Sequence, residues 1–336
     1  MVSIDEVARR AGVSTATVSR ALSGRGQVSD AARERVRAAA AALGYVVSSR
    51  ASSLASGRTR DVGVIVPLLD HWFFSTMLSG ASSALMRAGY DITLYNITAD
   101  ADMRREVFST FLRRQRVDAV IAVAIELDEH ETGQLLDLGL PVIGVGGPNP
   151  RLRTLSVDDT AMARLATEHL IELGHREIAH IGAAPEFEAD FRVPSRRLRG
   201  FEQALAEAGI TSTPALLEPA DFTVAGGYRA ATRLLDARGS RPSAIFAASD
   251  EMAIGALLAA RDLGIRVPED LSIVGIDGHE LGEFFQLTTV DQFPLAQGER
   301  AAAAVLAQLE EAPDATAAAA LPYELIVRST TAPPRS

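Results

Sequence analysis

From Asp61 onward, short apolar runs alternate with amphipathic segments, and this alternation limits the possible folds more than any other feature of the chain. The apolar runs are, in order, VGVIVP, ITLYN, DAVIAVA, PVIGVG, EIAHIG, SAIFAAS and LSIVGID. Apolar strands separated by helices are typical of parallel sheets that carry helices on both faces. We therefore expect the fold class to be α/β, with a body built from parallel sheets.

An internal repeat indicates that this body has two lobes. The segment SGASSALMRAGYDI (Ser79 to Ile92) aligns with RGFEQALAEAGITS (Arg199 to Ser212), so that a glycine, an Ala-Leu pair and an Ala-Gly pair coincide. We predict a first lobe of residues 61–160 plus 291–321 and a second lobe of residues 161–290 plus 322–332. A small ligand held between two such lobes would contact the loops at the carboxyl ends of the strands.

Three short amphipathic helices are predicted ahead of the body. Ser3 and Glu6 form an S-x-x-E capping box, and Gly12 ends the helix that they begin. A second helix starts at Ser14, and a third, AARERVRAAAAAL, ends at Gly44. Two helices joined by a tight glycine turn around a small apolar core are typical of a helix-turn-helix, although a glycine can join any two amphipathic helices.

Charge is distributed unevenly along the chain. The formal net charge is −10, yet residues 1–60 contain ten Arg against two Asp and two Glu and carry +6, which leaves −16 on the rest. Duplex DNA attracts a basic module and repels an acidic one. We predict a helix-turn-helix DNA-binding domain over residues 1–46 and a hinge over residues 47–60. The composition of this segment, SSRASSLASGRTR, is that of a Ser-, Gly- and Arg-rich linker; Arg50 to Ser56 is too short to persist alone as a helix, so any helix there must form on binding.

Several classes of function are excluded by missing residues or unsuitable spacing. The chain has no cysteine, which excludes disulfides, thiol nucleophiles and thiolate metal sites. His169, His175 and His180 are separated by gaps of six and five, not the four that places two metal ligands on one helical face. Neither G-x-S-x-G nor a phosphate-binding loop occurs. We expect no enzymatic activity, cofactor or metal, and, without a secretory signal or a membrane-spanning run, a cytoplasmic protein.

Candidate ligand-binding side chains occur in the segments that should follow the strands. They include aromatic rings, a guanidinium and carboxylates, at Trp72, Phe73, Phe222, Arg197, Asp250 and Asp277. Ring stacking combined with bidentate hydrogen bonding is suited to polyols and sugars. For any one of these residues a structural role is equally compatible with the sequence, so the prediction depends on their convergence at one site.

Taken together, these segments resemble the LacI/GalR family of bacterial transcription regulators over about residues 3–330. The resemblance rests on AGVSTATVSRALSG, the Tyr45 to Arg58 stretch, HLIELGHREIAHIG, RRLRGFEQALAEAG, IFAASDEMAIGALLAARDLGIRVPEDLSIVGIDG and LTTVDQ. It implies a homodimer whose helix-turn-helix heads bind a pseudo-palindromic DNA operator and whose periplasmic-binding-protein-like (type I) body senses a small molecule. We expect a repressor of carbohydrate-related genes with a sugar effector; the alternative is a solute-binding protein of sugar transport.

The resemblance also assigns roles to individual residues. It places at base edges the residues Thr15, Ala16 and Arg20. It places at DNA phosphates and in the hinge the residues Ser14, Thr17, Ser19, Ser23, Ser29, Tyr45, Arg50, Ala51 and Leu54, the last as a wedge in the minor groove. It places at the effector the residues His71, Trp72, Phe73, Arg197, Phe222, Ser249, Asp250 and Asp277.

Three departures from the family pattern bear on these assignments. Val47 and Ser48 replace the Pro-Asn that usually precedes the hinge helix. The first pocket loop reads LLDHWFF in place of D-x-S-N-P-F-F, and Ser249 replaces an asparagine. The chain ends in STTAPPRS without heptads, so we expect a dimer and not a tetramer.

Overall fold

The computed structural model describes residues 2–23, 27–45, 58–97, 101–114, 116–147, 149–183, 192–236, 241–311 and 320–335. It divides the chain into two compact units, Met1–Arg60 and Asp61–Ser336, which we call the head and the body. The segment Arg50 to Ser56, in which we predict a binding-induced helix, lies outside the described residues. None of the helices in the described part is both long and apolar enough to span a bilayer.

The head is a helix-turn-helix unit of three helices, α1 (Ile4–Ala11), α2 (Thr15–Ser23) and α3 (Asp30–Leu43). The predicted capping box at the start of α1 is present in both directions, from Ser3 and from Glu6. Gly12 and Gly44 each have a φ of 63° and end α1 and α3 in the left-handed conformation that glycine adopts without strain. These predicted caps are confirmed.

The first sheet of the body is parallel, in the order β2-β1-β3-β4-β5. Its strands are β1 (Asp61–Val66), β2 (Asp91–Asn96), β3 (Ala119–Val123), β4 (Val142–Val145) and β5 (Arg153–Leu155). The helices between them are α4 (Trp72–Arg87), α5 (Ala101–Glu106) and α6 (Glu129–Leu136), with a π-helical turn at Val107–Phe111 and a 3₁₀ turn at Leu112–Arg114 after α5.

The second sheet has the order β11-β10-β9-β8-β6-β7. Its strands are β6 (Ile178–Ala183), β7 (Leu217–Ala220), β8 (Ala244–Ala247), β9 (Ser272–Asp277), β10 (Thr288–Asp291) and β11 (Glu324–Ile326). The associated helices are α7 (Asp159–Glu172), α8 (Val193–Glu207), α9 (Val224–Asp236) and α10 (Asp250–Asp262), with 3₁₀ turns at Pro214–Leu216 and Glu280–Gly282. β11 pairs antiparallel with β10, whereas the other strand pairs of the two sheets are parallel.

The last helix, α11 (Pro294–Leu309), follows a strand of the second sheet but packs on the first. It contacts α4, β3 and β4, and the chain then returns to the second sheet as β11. At the α11–α4 crossing, a Cβ at Gly80 or Gly298 would collide with backbone of the facing helix, which explains the glycines. The passage of the chain from the second sheet to the first and back supports the lobe boundaries predicted above, which we retain as our proposal. The first lobe contains the first sheet, and the second lobe contains the second sheet.

Candidate functional site

In the head, α2 separates an anchoring face from an exposed face. Val18 is fully buried and Ala21 is 3% exposed, so this side of the helix packs into the head core. Thr15, Ala16, Ser19 and Arg20 are exposed, as expected of side chains that would contact DNA, while Thr17 is half-buried. A helix that is fixed by one face and exposed on the other is the geometry by which a recognition helix enters the major groove.

The predicted phosphate contacts near α2 fall into two groups. Ser14 and Ser29 act as caps: the Ser14 hydroxyl accepts the Thr17 N–H at 3.2 Å, and the Ser29 hydroxyl accepts the Ala32 N–H at 3.4 Å. Both serines are exposed, whereas Tyr45 is half-buried against the head core. The side chain of Ser23 and the whole of Arg50, Ala51 and Leu54 lie outside the described residues, so their assignments stay predictions.

In the body, a cleft lies at the carboxyl ends of strands from both sheets. Its lining comprises Leu68, His71, Phe73, Phe74, Val123, Ala124, Val145, Gly146, Val157, Asp159, Val193, Arg197, Phe222, Ser249, Glu251, Asp277, Gln292 and Gln297. This is the position at which open α/β sheets bind ligands, because the loops after neighbouring parallel strands converge there. Predicted effector residues that the structure brings together here are His71, Phe73, Arg197, Phe222, Ser249 and Asp277.

Arg197, on α8, is the centre of a buried polar network in this cleft. It is 4% exposed, and its Nε donates to Asp159 Oδ1 at 3.1 Å while Nη1 donates to the Ala248 carbonyl oxygen. Nη1 also lies 3.5 Å from Asp277 Oδ1, an atom that accepts a hydrogen bond from Gln292 Nε2 at 2.6 Å. A guanidinium held by two carboxylates has a fixed orientation, so its remaining donors are preorganised for a ligand.

The carboxyl groups around Arg197 have raised pKa values because they are buried. Burial raises the pKa of Asp159 against the opposing effect of the Arg197 charge. Burial raises the pKa of Asp277 in the same way, and for Asp250 the nearby charge of Asp277 adds to burial. Burial also raises the pKa of Glu251, whose carboxylate accepts the Trp72 N–H at 3.3 Å. The cleft therefore holds more acidic groups than its one lining guanidinium can neutralise.

Two of the predicted effector residues do not line the described cleft. Asp250 is fully buried, and its oxygens accept hydrogen bonds from the His279 N–H at 2.8 Å and the Thr289 hydroxyl at 2.7 Å. The Trp72 ring stacks on the His279 ring, with centroids 4.3 Å apart and planes at 21°. In this structure Asp250 orders the loop after β9, and Trp72 connects the two lobes beside the cleft; their assignments as effector contacts stay predictions.

Several lining residues were missed by reasoning from the sequence. The polar ones are Asp159, Glu251, Gln292 and Gln297. Glu251 directly follows Asp250 within ASDEMAIG, and Gln292 ends LTTVDQ. Both residues therefore lie in segments that the sequence analysis identifies as family motifs. Gln297 gave no local signal, because it belongs to α11 and reaches the cleft only through the return of that helix to the first sheet; its Nε2 donates to the Gln292 carbonyl oxygen at 2.7 Å.

Comparison with known proteins places both units in one family. A family description reading "Bacterial regulatory proteins, lacI family" matches residues 3–48, and one reading "Periplasmic binding protein-like domain" matches residues 167–331. The HTH-type transcriptional repressor PurR of Vibrio atlanticus is 32% identical over 336 residues, covering 98% of this chain and 98% of that protein. The HTH-type transcriptional regulator CelR of Thermobifida fusca is 35% identical over 300 residues, covering 86% of each.

Solved structures agree with these matches. The lac repressor dimer bound to operator and the anti-inducer ONPF superposes with a TM-score of 0.84 at 26% identity, covering 98% of this chain and 99% of that chain. The CelR–cellobiose complex superposes with a TM-score of 0.70 at 31% identity, covering 98% of this chain and 100% of that chain. The resemblance seen in the sequence is thereby confirmed, and the fold class is that of a helix-turn-helix head joined to a type I periplasmic-binding-protein-like body. The chain belongs to the LacI family of bacterial regulatory proteins, whose members here are DNA-binding transcription regulators and not enzymes.

Proposed function

We propose that this protein is a transcriptional repressor of carbohydrate-related genes whose affinity for operator DNA is controlled by a sugar bound between the two lobes. The observation that carries this proposal is the cleft at the carboxyl ends of strands from both sheets, in which a guanidinium, carboxyl groups and phenyl rings line one space. Such a site combines apolar walls with a few fixed polar groups, as ligand sites do.

The lining chemistry favours a sugar. Sugar hydroxyls donate hydrogen bonds to carboxylates and accept them from a guanidinium, and the apolar faces of a sugar ring pack on aromatic rings. Asp277 and Arg197 supply the polar groups, and Phe73 and Phe222 supply aromatic surface in the same cleft. CelR, a relative at 31% identity, forms a complex with cellobiose, which supports a carbohydrate effector for this chain.

For the DNA side we propose that α2 reads base edges through Thr15, Ala16 and Arg20. All three are exposed, and an arginine can donate two hydrogen bonds to guanine O6 and N7, a contact worth about 1 to 3 kcal/mol of discrimination. The hydroxyls of Ser14 and Ser29 stand at helix starts, where backbone N–H groups also favour phosphate. The lac repressor structure is a dimer on its operator, which supports a homodimer on a pseudo-palindromic site.

Regulation by the effector would act through contacts between the lobes. His71 Nε2, from the first lobe, lies 3.2 Å from the Asp221 carbonyl oxygen of the second, and the Trp72–His279 stack joins the same lobes. A ligand that changes lobe closure must remake these contacts, and we infer that this changes the spacing and stability of the paired hinge helices on DNA. A coupling of about 1 to 3 kcal/mol is enough for regulation.

A transport-type sugar-binding protein, the alternative function, would use the same body. The head argues against it, because residues 1–60 carry +6 and present an exposed recognition helix that transport does not need. No observation on the described residues favours this alternative.

The test is fluorescence anisotropy of the full chain on labelled palindromic fragments from the promoter of its own gene, with and without a panel of sugars. We expect preference for one palindrome over bulk duplex, and a change in that affinity with at least one sugar. Trp72 is the only tryptophan, so its fluorescence reports sugar binding to the body independently of DNA. Absence of any site preference at moderate salt, with and without the sugars, would refute the proposed function.

A further inference from the structure

The charges that face the cleft are strongly unbalanced. Asp159, Glu251 and Asp277 line it, and the Asp250 carboxyl lies directly behind, hydrogen-bonded to the backbone of the loop that follows Asp277. Arg197 is the guanidinium among the lining residues, and it is already shared between two of these carboxyls, at 3.1 and 3.5 Å. Among the residues that the structure describes as lining, the acidic groups therefore outnumber the arginine three to one.

The other basic groups nearby offset this excess only in part. Both ring nitrogens of His71 are engaged, Nδ1 at 3.1 Å from the exposed Asp70 carboxylate and Nε2 at 3.2 Å from a carbonyl oxygen. Arg192 pairs with Glu126 at 3.2 Å. The guanidinium of Arg196 lies against Gly147, outside the lining set. His71 and Arg196 oppose the raised pKa values of Glu251 and Asp159, respectively, but burial outweighs both.

Glu251 is the lining carboxyl for which the described residues supply no ion pair, since Arg197 pairs with Asp159 and Asp277. The bond recorded for its carboxylate within the described residues is the Trp72 N–H at 3.3 Å, which reaches Oε2. Its other oxygen is available to accept a hydroxyl hydrogen. Asp277, by contrast, already accepts from Gln292 and faces Arg197. Burial raises the pKa of Glu251 and of Asp277, which is independent evidence that this region disfavours further negative charge.

We propose that the cleft accepts uncharged polyhydroxylated ligands, rejects their phosphorylated and carboxylate-bearing counterparts, and uses Glu251 as the residue that makes this distinction. The inference rests on the proposed function, since it specifies the charge class of the effector of the same site. A hydroxyl placed at Glu251 donates a charge-assisted hydrogen bond, whereas a phosphate or carboxylate placed there is repelled in a site where solvent screens weakly.

The test compares matched ligand pairs on the full chain by isothermal titration calorimetry and Trp72 fluorescence. The pairs are glucose with glucose 6-phosphate, galactose with galacturonate, ribose with ribose 5-phosphate, and cellobiose with cellobionate. We expect every uncharged compound that binds to bind at least about 100-fold more tightly than its anionic partner. Glu251→Gln keeps the shape of the side chain and removes its charge, and should reduce that ratio at least about tenfold.

Glu202→Gln is the matched control, because Glu202 is an exposed glutamate on α8, outside the cleft lining; it should leave the ratio unchanged. The wild-type ratio tests the charge class even if Glu251→Gln does not fold. An anionic compound that binds as tightly as its uncharged partner overturns the inference and leaves the proposed sugar effector standing. An unchanged ratio in folded Glu251→Gln overturns the role of Glu251. If no compound binds, the proposed sugar effector fails and the inference fails with it.

Discussion

Replacing His180 with phenylalanine should make the body more resistant to acid. His180 lies in β6, is 3% exposed, and stacks against both Phe201 and Phe246 at centroid distances of 5.1 and 4.9 Å. Its Nδ1 donates to the Phe246 carbonyl oxygen at 3.1 Å, and Nε2 has no partner among the described residues. Burial lowers the pKa of His180 to about 4, the hydrogen bond to Phe246 opposing this only in part, so the ring is held neutral in the folded protein.

The size and sign of the effect follow from this pKa. In the unfolded chain a histidine binds a proton near pH 6.5, whereas in the fold it does so near 4, so acid favours the unfolded chain between these values. The stability that neutral His180 contributes is complete above pH 6.5 and is lost as the pH falls toward 4. At pH 4.5 the loss amounts to roughly 2 to 3 kcal/mol, at about 1.4 kcal/mol per pH unit.

The assay is urea unfolding of the full chain at pH 7.5 and pH 4.5, followed by the fluorescence of Trp72 in the body. At pH 7.5 His180→Phe should lower the unfolding free energy by up to about 1 kcal/mol, because the hydrogen bond to the Phe246 carbonyl oxygen is lost. At pH 4.5 the variant should instead be the more stable protein. His130→Gln, at an exposed histidine on α6, is the control and should follow the wild type at both pH values. Parallel pH profiles for wild type and His180→Phe would refute the reasoning.

Three further predictions concern charge, packing and DNA reading. Arg197→Met should lower the unfolding free energy by roughly 3 to 5 kcal/mol at pH 8, because two buried carboxylates lose their cation. The loss should be smaller at pH 5, because burial raises the pKa of both carboxyl groups and acid favours their neutral forms; an unchanged urea midpoint at pH 8 would contradict this. Gly298→Ala should lower the unfolding free energy by about 1 to 3 kcal/mol, because the new Cβ would collide with the Met77 backbone. Gly133→Ala places its Cβ in open space and should leave the unfolding free energy nearly unchanged, a difference that calorimetry can measure. Arg20→Ala should relax base preference at one operator position by about 1 to 3 kcal/mol in anisotropy titrations, and an equal loss on every sequence would reassign Arg20 to phosphate.

The helices of the head show how far local sequence rules reach. The capping box of Ser3 and Glu6 and the terminal glycines Gly12 and Gly44 act within one helical turn, so their sequence was sufficient to predict them. The seven long apolar runs of the body were likewise recognisable as strands. The strands β5, β7, β10 and β11 were not, because charged, hydroxyl or proline residues interrupt their three or four positions and leave no continuous apolar run; pairing with a neighbouring strand makes them strands.

In the cleft, the sequence indicated which segments converge but not which way each side chain faces. Asp250 and Glu251 are neighbours at the start of α10, yet the first turns inward to the His279 backbone and the second lines the cleft. Trp72 and Phe73 are also adjacent, and Phe73 lines the cleft while Trp72 stacks on His279. One residue of offset rotates a side chain by about 100° around a helix, so such assignments depend on what packs against that helix.

By itself, therefore, the sequence determined the alternating secondary structure, the caps, the basic head and the family, because these follow from patterns within a few residues or from the whole-chain order of motifs. The tertiary structure alone decided that Gln297, on α11, reaches the cleft, and that Glu251 is the lining carboxyl that Arg197 does not pair. These outcomes depend on contacts between residues distant in sequence, where packing and burial, and not local propensity, set the direction and charge of each side chain.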